Sequence, residues 1–99
     1  MPRYRITPEA RKDLLGIRKY LKKESRGAWP RVWAEFKRAF RLIGGAPGSG
    51  HYREDLTARR FRFFPVFKYL VMYDPVTRPV RVLAVFHSSM DLRRNPRLK

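Results

Sequence analysis

Hydrophobic residues along this chain change rhythm from one stretch to the next. Tyr4 and Ile6 alternate with Arg3 and Arg5, the two-residue period of a short strand with one buried face. Thr7-Pro8-Glu9 then has the composition of a helix start. A threonine hydroxyl can cap the free N–H groups, proline suits the first helical position, and a carboxylate favours the positive end of the helix dipole. Ala10, Leu14, Ile17 and Leu21 follow at helical spacing, with Leu15 widening the stripe and Arg11, Lys12, Arg18, Lys19, Lys22 and Lys23 facing water. Ser25-Arg26-Gly27 breaks the pattern, and a second helix begins near Ala28. Its stripe of Trp29, Val32, Trp33, Phe36, Phe40 and Ile43 is the most regular in the chain and stops at Gly44-Gly45. Two helices joined by so short a turn form an antiparallel hairpin.

Past the loop 44–50, rich in glycine and proline, the pattern turns to β. Phe61, Phe63 and Phe64 predict one strand, interrupted by Pro65. Val66 to Tyr73 predicts another, a turn runs from Asp74-Pro75 to Pro79, and Val80 to Phe86 predicts a third. The continuous apolar runs Leu70-Val71-Met72 and Val82 to Phe86 predict central strands covered on both faces. The fold class that follows is α+β: an N-terminal strand, then a helical hairpin packed on one face of a small, mainly antiparallel sheet, in the order β-α-α-β-β-β. Residues 1–90 read as a single domain and residues 91–99 as a basic C-terminal tail.

Composition narrows the function. The 99 residues carry 24 Lys and Arg against 8 Asp and Glu, a formal net charge of +16. Domains of this size ordinarily carry a net charge of about 2–8 in magnitude. Such a surface repels itself and attracts nucleic acid, nucleoprotein or an acidic protein. The absence of cysteine excludes disulfides and cysteine-built zinc sites and fits a reducing cytoplasm. No apolar run approaches the roughly 20 residues of a membrane span, and the N-terminus lacks the apolar stretch of a signal peptide. Neither metal-ligand spacing nor a phosphate-binding loop is present, since Gly48-Ser49-Gly50 is not followed by Lys-Ser/Thr. No cofactor is expected.

Four stretches carry a more specific signal. They are Tyr4 to Ala10 with Asp13-Leu14, Ile17 and Tyr20; then Pro47, Gly50, Arg53, Asp55, Leu56 and Arg60; then Tyr69 to Tyr73; and finally Val82 to Val85 followed by His87 and Asp91. In this order and spacing they resemble the ParE/RelE toxin superfamily, closer to its ParE-like branch, over nearly the whole chain. The resemblance implies the toxin of a type II toxin–antitoxin system, neutralised by a cognate acidic antitoxin. RelE-like members cut mRNA on the ribosome without a metal, using cations that stabilise charge on the scissile phosphate. The resemblance puts important arginines at two positions that are Leu70 and Met90 here, so Arg62, Lys68 and His87 are the nearest substitutes for a nuclease. ParE-like members instead trap DNA gyrase and perform no chemistry themselves. On that branch Tyr69, Tyr73, His87, Arg93 and Arg94 are the expected target contacts, with nucleic acid met only through the target.

The resemblance also implies candidate antitoxin contacts. Arg53 and Arg60 would grip carboxylates through two-pronged guanidinium pairs, or would close internal salt bridges with Asp55 or Glu54. Trp29 and Trp33 would offer exposed apolar edges, or serve only as core. His87 reads either as a base or phosphate contact, or as a structural residue hydrogen-bonded to a neighbour. His51, in the Gly-rich loop beside Tyr52, is expected to be exposed. Arg93, Arg94, Arg97 and Lys99 read as phosphate contacts or as a solvated tail. A plain nucleic-acid-binding module, stacking bases on Phe61, Phe63, Phe67, Tyr69 and Tyr73, is the alternative from another class.

Overall fold

The computed structural model describes residues 3–99; Met1 and Pro2, included in the domain range 1–90, lie outside the described residues. Strand β1 (Tyr4–Ile6) leads into helix α1 (Pro8–Glu24) and helix α2 (Ala28–Gly45), followed by β2 (His51–Tyr52), β3 (Arg62–Val66), β4 (Tyr69–Asp74) and β5 (Val80–His87). The five strands form one sheet in the order β1-β5-β4-β3-β2. β1 runs parallel to β5 and all other neighbours are antiparallel. This is the α+β arrangement that the hydrophobic pattern predicts.

The helix caps form as the residue types dictate. Thr7 Oγ1 accepts the Ala10 N–H and donates to the Val82 carbonyl at 2.9 Å, so one hydroxyl starts α1 and ties it to β5. Gly27 makes the turn between the helices at φ 80°, a conformation that costs glycine nothing. Phe36, Phe40 and Ile43 of α2 are fully buried with Ala10 and Leu14 of α1 against the sheet face of Tyr69, Val71, Tyr73, Val80, Val82 and Val85. Leu15, read as part of the α1 stripe, is instead 55% exposed on the helix flank.

Three expectations in the β half need correction. Pro65 does not interrupt a strand: β3 continues through it, paired with Leu70. β2 pairs only with Arg62 and Phe63, so β3 is an edge strand at Pro65, where a missing N–H costs no ladder bond. Val66 to Tyr73 is not one strand either, because the chain reverses at Phe67-Lys68 between β3 and β4. Phe67 makes that turn at φ 53°, left-handed backbone that a bulky side chain rarely adopts. His51 is exposed, but in a short strand rather than a loop.

Residues 91–99 are not a solvated tail. Two 3₁₀ turns, Leu92–Arg94 and Pro96–Leu98, fold back so that Leu92 and Leu98 are buried against Phe63, Met72, Ala84 and Phe86 on the sheet face away from the helices. This segment supplies the second cover that the apolar runs of β4 and β5 require. Arg97 anchors it. Its guanidinium makes two bonds of 2.9 and 3.0 Å to Asp13 of α1 and one of 3.2 Å to the Leu83 carbonyl. Leu83 is the extra residue of a bulge, since Tyr73 pairs with Val82 and Met72 with Ala84. Asp13 also accepts the Val85 N–H at 2.9 Å.

Arg97→Ala should therefore cost about 2–3 kcal/mol in urea unfolding, because it strands a half-buried carboxylate and a strand carbonyl together. A double-mutant cycle with Asp13→Asn should show coupling above about 1 kcal/mol. Additive effects would mean that the pair does not act as a unit.

Candidate partner-binding surfaces

Three concavities hold most of the residues singled out from the sequence. The first lies between the helices. Ile6, Leu14, Leu15, Trp29 and Trp33 line it, with the exposed Arg11 and Arg18 beside them, around a volume of about 410 Å³. The two indoles stack with centroids 5.6 Å apart, four residues apart on α2. Trp33 also packs on the core and meets Phe40 edge-on, whereas Trp29 is held by Trp33 and the groove alone. One tryptophan is thus partly core and the other mainly surface.

The second and largest of the three, about 580 Å³, runs from the middle of α1 to the end of β5 and is lined by Lys12, Tyr20, Tyr69, His87, Met90 and Arg97. Tyr69 is nearly buried, packed on Phe36, and only its edge reaches the groove. Burial, and then Tyr20 nearby, raises the pKa of its phenol above the ordinary value. His87 stands edge-on to Tyr69 at 5.5 Å. Its Nδ1 accepts the Ser89 N–H at 3.0 Å and lies 2.6 Å from the Ser89 hydroxyl. A ring that accepts a backbone N–H at Nδ1 carries its own proton on Nε2 when neutral. Nδ1 of His87 is thereby engaged within its own loop, as a structural histidine would be.

The third, about 380 Å³, opens on the opposite sheet face among Arg53, Asp55, Phe67, Leu70, Met90 and Arg93. Leu70 and Met90, far apart in sequence, meet here. Arg53 lies in the cavity but is bound to Asp55 by two bonds of 2.9 Å. That pairing raises the arginine's pKa and lowers the carboxyl's. Of the two readings of Arg53, the internal salt bridge is the one formed. Arg93 is exposed at the rim, and Arg94 is exposed and loosely paired with Asp91 at 3.5 Å.

The nuclease substitutes do not converge. Lys68 and His87 lie near each other, since the Ser88 N–H donates to the Lys68 carbonyl. Arg62 pairs with Tyr73 at the far end of the hairpin from Tyr69, about 13 Å along the strand. It donates to the Gly50 carbonyl at 2.7 Å. Among the described residues no group of three His, Cys, Asp or Glu side chains could hold a metal ion.

Tyr73, read as a target contact, is fully buried. Its hydroxyl donates to the Pro47 carbonyl at 2.6 Å and accepts the Gly50 N–H at 2.8 Å, clamping the loop after α2. A Cβ on Gly50 would sit 2.7 Å from that hydroxyl, so only glycine fits there. Phe63 and Tyr69 are core as well, so three of the five aromatic residues considered for stacking bases are buried. Sequence reasoning passed over Tyr20 and Met90 as surface groups, and Phe67, 67% exposed, was placed mid-strand. Tyr20 stood three places beyond Ile17, at helical spacing, and could have been found; nothing local signalled the Phe67 turn.

The family model described as ParE toxin of type II toxin-antitoxin system, parDE, matches residues 4–92. No curated protein matches the chain. The matched span takes in all three concavities except for Arg97 in the second and Arg93 in the third.

Burial raises the Tyr73 pKa above the ordinary tyrosine value of 10.0. The folded state then holds the phenolic proton more tightly than the unfolded state. Its contribution is intact below pH about 10 and is lost as pH rises through the folded pKa. Tyr73→Phe should cost about 1–3 kcal/mol at neutral pH by leaving the Gly50 N–H unpaired. It should also flatten part of the loss of stability above pH about 10. Urea titrations at both pH values check this, and an unchanged pH slope would contradict it.

Proposed function

This chain belongs to the ParE toxin family of type II toxin–antitoxin systems, and from that premise we propose that it inhibits DNA gyrase as a binding module, without chemistry of its own. The observation that carries this reading is the third concavity. A metal-free phosphodiester cleavage needs cations free to meet charge developing on the phosphate. Here Leu70 and Met90 supply none, and Arg53 is committed to Asp55. Arg93 at the rim is the one exposed guanidinium among the lining residues. The Nδ1 of His87 is taken up by the Ser89 N–H.

What remains suits recognition. Phe67 and Met90 are exposed beside one another's cavity, with Tyr20 and the edge of His87 across the loop 88–91. Exposed aromatic and methionine side chains next to arginine are the composition of protein-binding hot spots. Arg93 and Arg94 add positive charge at the same end.

The family implies a cognate antitoxin. The groove of Trp29 and Trp33 fits an acidic amphipathic segment of it, with an apolar face on the indoles and carboxylates toward Arg11 and Arg18. Trp29→Ala should leave the fold within about 1 kcal/mol of the parent and weaken antitoxin binding at least about tenfold. Trp33→Ala should destabilise the free toxin more, because Trp33 also covers core. Calorimetric titration with purified antitoxin, beside urea unfolding, separates the two.

The inhibitory function is tested by incubating the purified protein with gyrase, ATP and supercoiled plasmid and stopping with denaturant and protease. Accumulation of linear plasmid, suppressed by antitoxin, is the expected result. Unimpaired supercoiling without linear product would remove gyrase as the target.

A further inference from the structure

One cluster lies outside all three concavities and has no part in the reading above. Arg59, Arg60 and Arg62 enter β3, and each rests on an aromatic ring. Arg60 and Arg62 lie 4.3 and 4.1 Å from the centroid of Tyr52 in β2, and Arg59 lies 4.9 Å from that of Phe61. Arg62 is held further by its bond to the Gly50 carbonyl. None of the three joins an ion pair among the described residues, whereas Arg38, Arg53, Arg94 and Arg97 all do. Beside them is a shallow depression of about 280 Å³ edged by Tyr52, Thr57, Arg59 and Arg60, with the paired Arg53 and one carboxylate, Glu54, also on its lining.

We propose that this edge of the sheet is a phosphate-backbone site for duplex DNA. A guanidinium stacked on a ring keeps its in-plane N–H donors turned outward and has already lost much of its rotamer freedom. Three such groups, none of them in an ion pair among the described residues, on a chain of net charge +16, form a pre-ordered set of phosphate ligands. The chemistry also argues against other polyanions. An acidic peptide needs apolar anchors besides charge, and the rings here are already covered by cations. Single-stranded nucleic acid binds by stacking bases on open aromatic faces, and Tyr52 already carries two guanidinium groups. A duplex backbone needs neither anchors nor stacking, only positioned donors, and it is read without regard to sequence. The site goes beyond the gyrase reading and stands or falls without it.

The test is fluorescence anisotropy of a labelled duplex of arbitrary sequence, titrated with the full chain over a series of salt concentrations. Arg59→Gln with Arg60→Gln leaves the Arg62–Gly50 bond intact. It should weaken duplex binding about tenfold or more near 0.1 M salt and reduce the slope of log K against log salt by nearly 2. Lys22→Gln with Lys23→Gln removes the same charge from the exposed end of α1 and should change affinity less than about threefold. Equal losses in the two variants would mean diffuse attraction and overturn the proposal, as would an unchanged slope or no duplex binding by the parent. An oligoglutamate peptide weakened as much as the duplex would make the surface a protein site. A single strand weakened as much would make it a stacking site, and either result would overturn the proposal.

Discussion

The outer side of β5 poses the constraint on which the rest of this fold depends. β1 has three residues and pairs with β5 only as far as Val82. The bulge at Leu83 then takes its carbonyl out of the ladder. A central strand buried on both faces cannot leave such groups bare. Asp13 and Arg97 answer together: one accepts from the Val85 N–H, the other donates to the Leu83 carbonyl, and each neutralises the other. The bulge also shifts the alternation of β5. Val80, Val82 and Val85 face the helices, while Ala84 and Phe86 face the C-terminal turns. The same pair therefore closes both layers, and it fixes the loop 88–91 that carries Met90 between two concavities.

Charge follows from this economy of carboxylates. Asp13, Glu35, Asp55 and Asp91 are each committed to an arginine, and Asp74 accepts the Val76 N–H in its turn. Few carboxylates remain to offset 24 basic residues. The folded monomer bears a self-repulsion that an acidic partner relieves, so binding and stability are coupled by mass action. A cognate antitoxin is the partner that the family supplies.

The helical half was legible because its signals are redundant: cap, stripe and glycine stop all agree over residues 7–45. The β half was less so, for identifiable reasons. A two-residue reversal made of Phe67 and Lys68 carries no glycine, asparagine or aspartate to mark it, and apolar periodicity runs straight through. The last segment read as solvated because only Leu92 and Leu98 are apolar among its basic residues. The run Val82 to Phe86 nevertheless demanded cover on both faces, and the helices could provide one. Tyr69 and Tyr73 are indistinguishable as letters. Register places both toward the helices, but Tyr73 lies deeper, its hydroxyl spent on the loop 47–50. Among the site residues, the departures at Leu70 and Met90 were visible in sequence; that they share one cavity was not.

The β3–β4 hairpin has two unlike ends, and their separation bears on the proposed reading of a toxin that acts by binding. At the turn, Phe67 stands exposed in a strained backbone next to the cavity of Leu70 and Met90. At the other end, the guanidinium groups of Arg60 and Arg62 lie on Tyr52. The register between them, Val66–Tyr69 to Arg62–Tyr73, spans four residues, about 13 Å. Apolar anchors recognise protein, and positioned guanidinium groups recognise phosphate. An arginine at Leu70 would bring a cation to the turn end of the hairpin and remove packing from the second sheet face. On the proposed reading, this division suits a target that is itself a protein closed on DNA. A rigid two-stranded element can then touch both components while catalysis stays with the target.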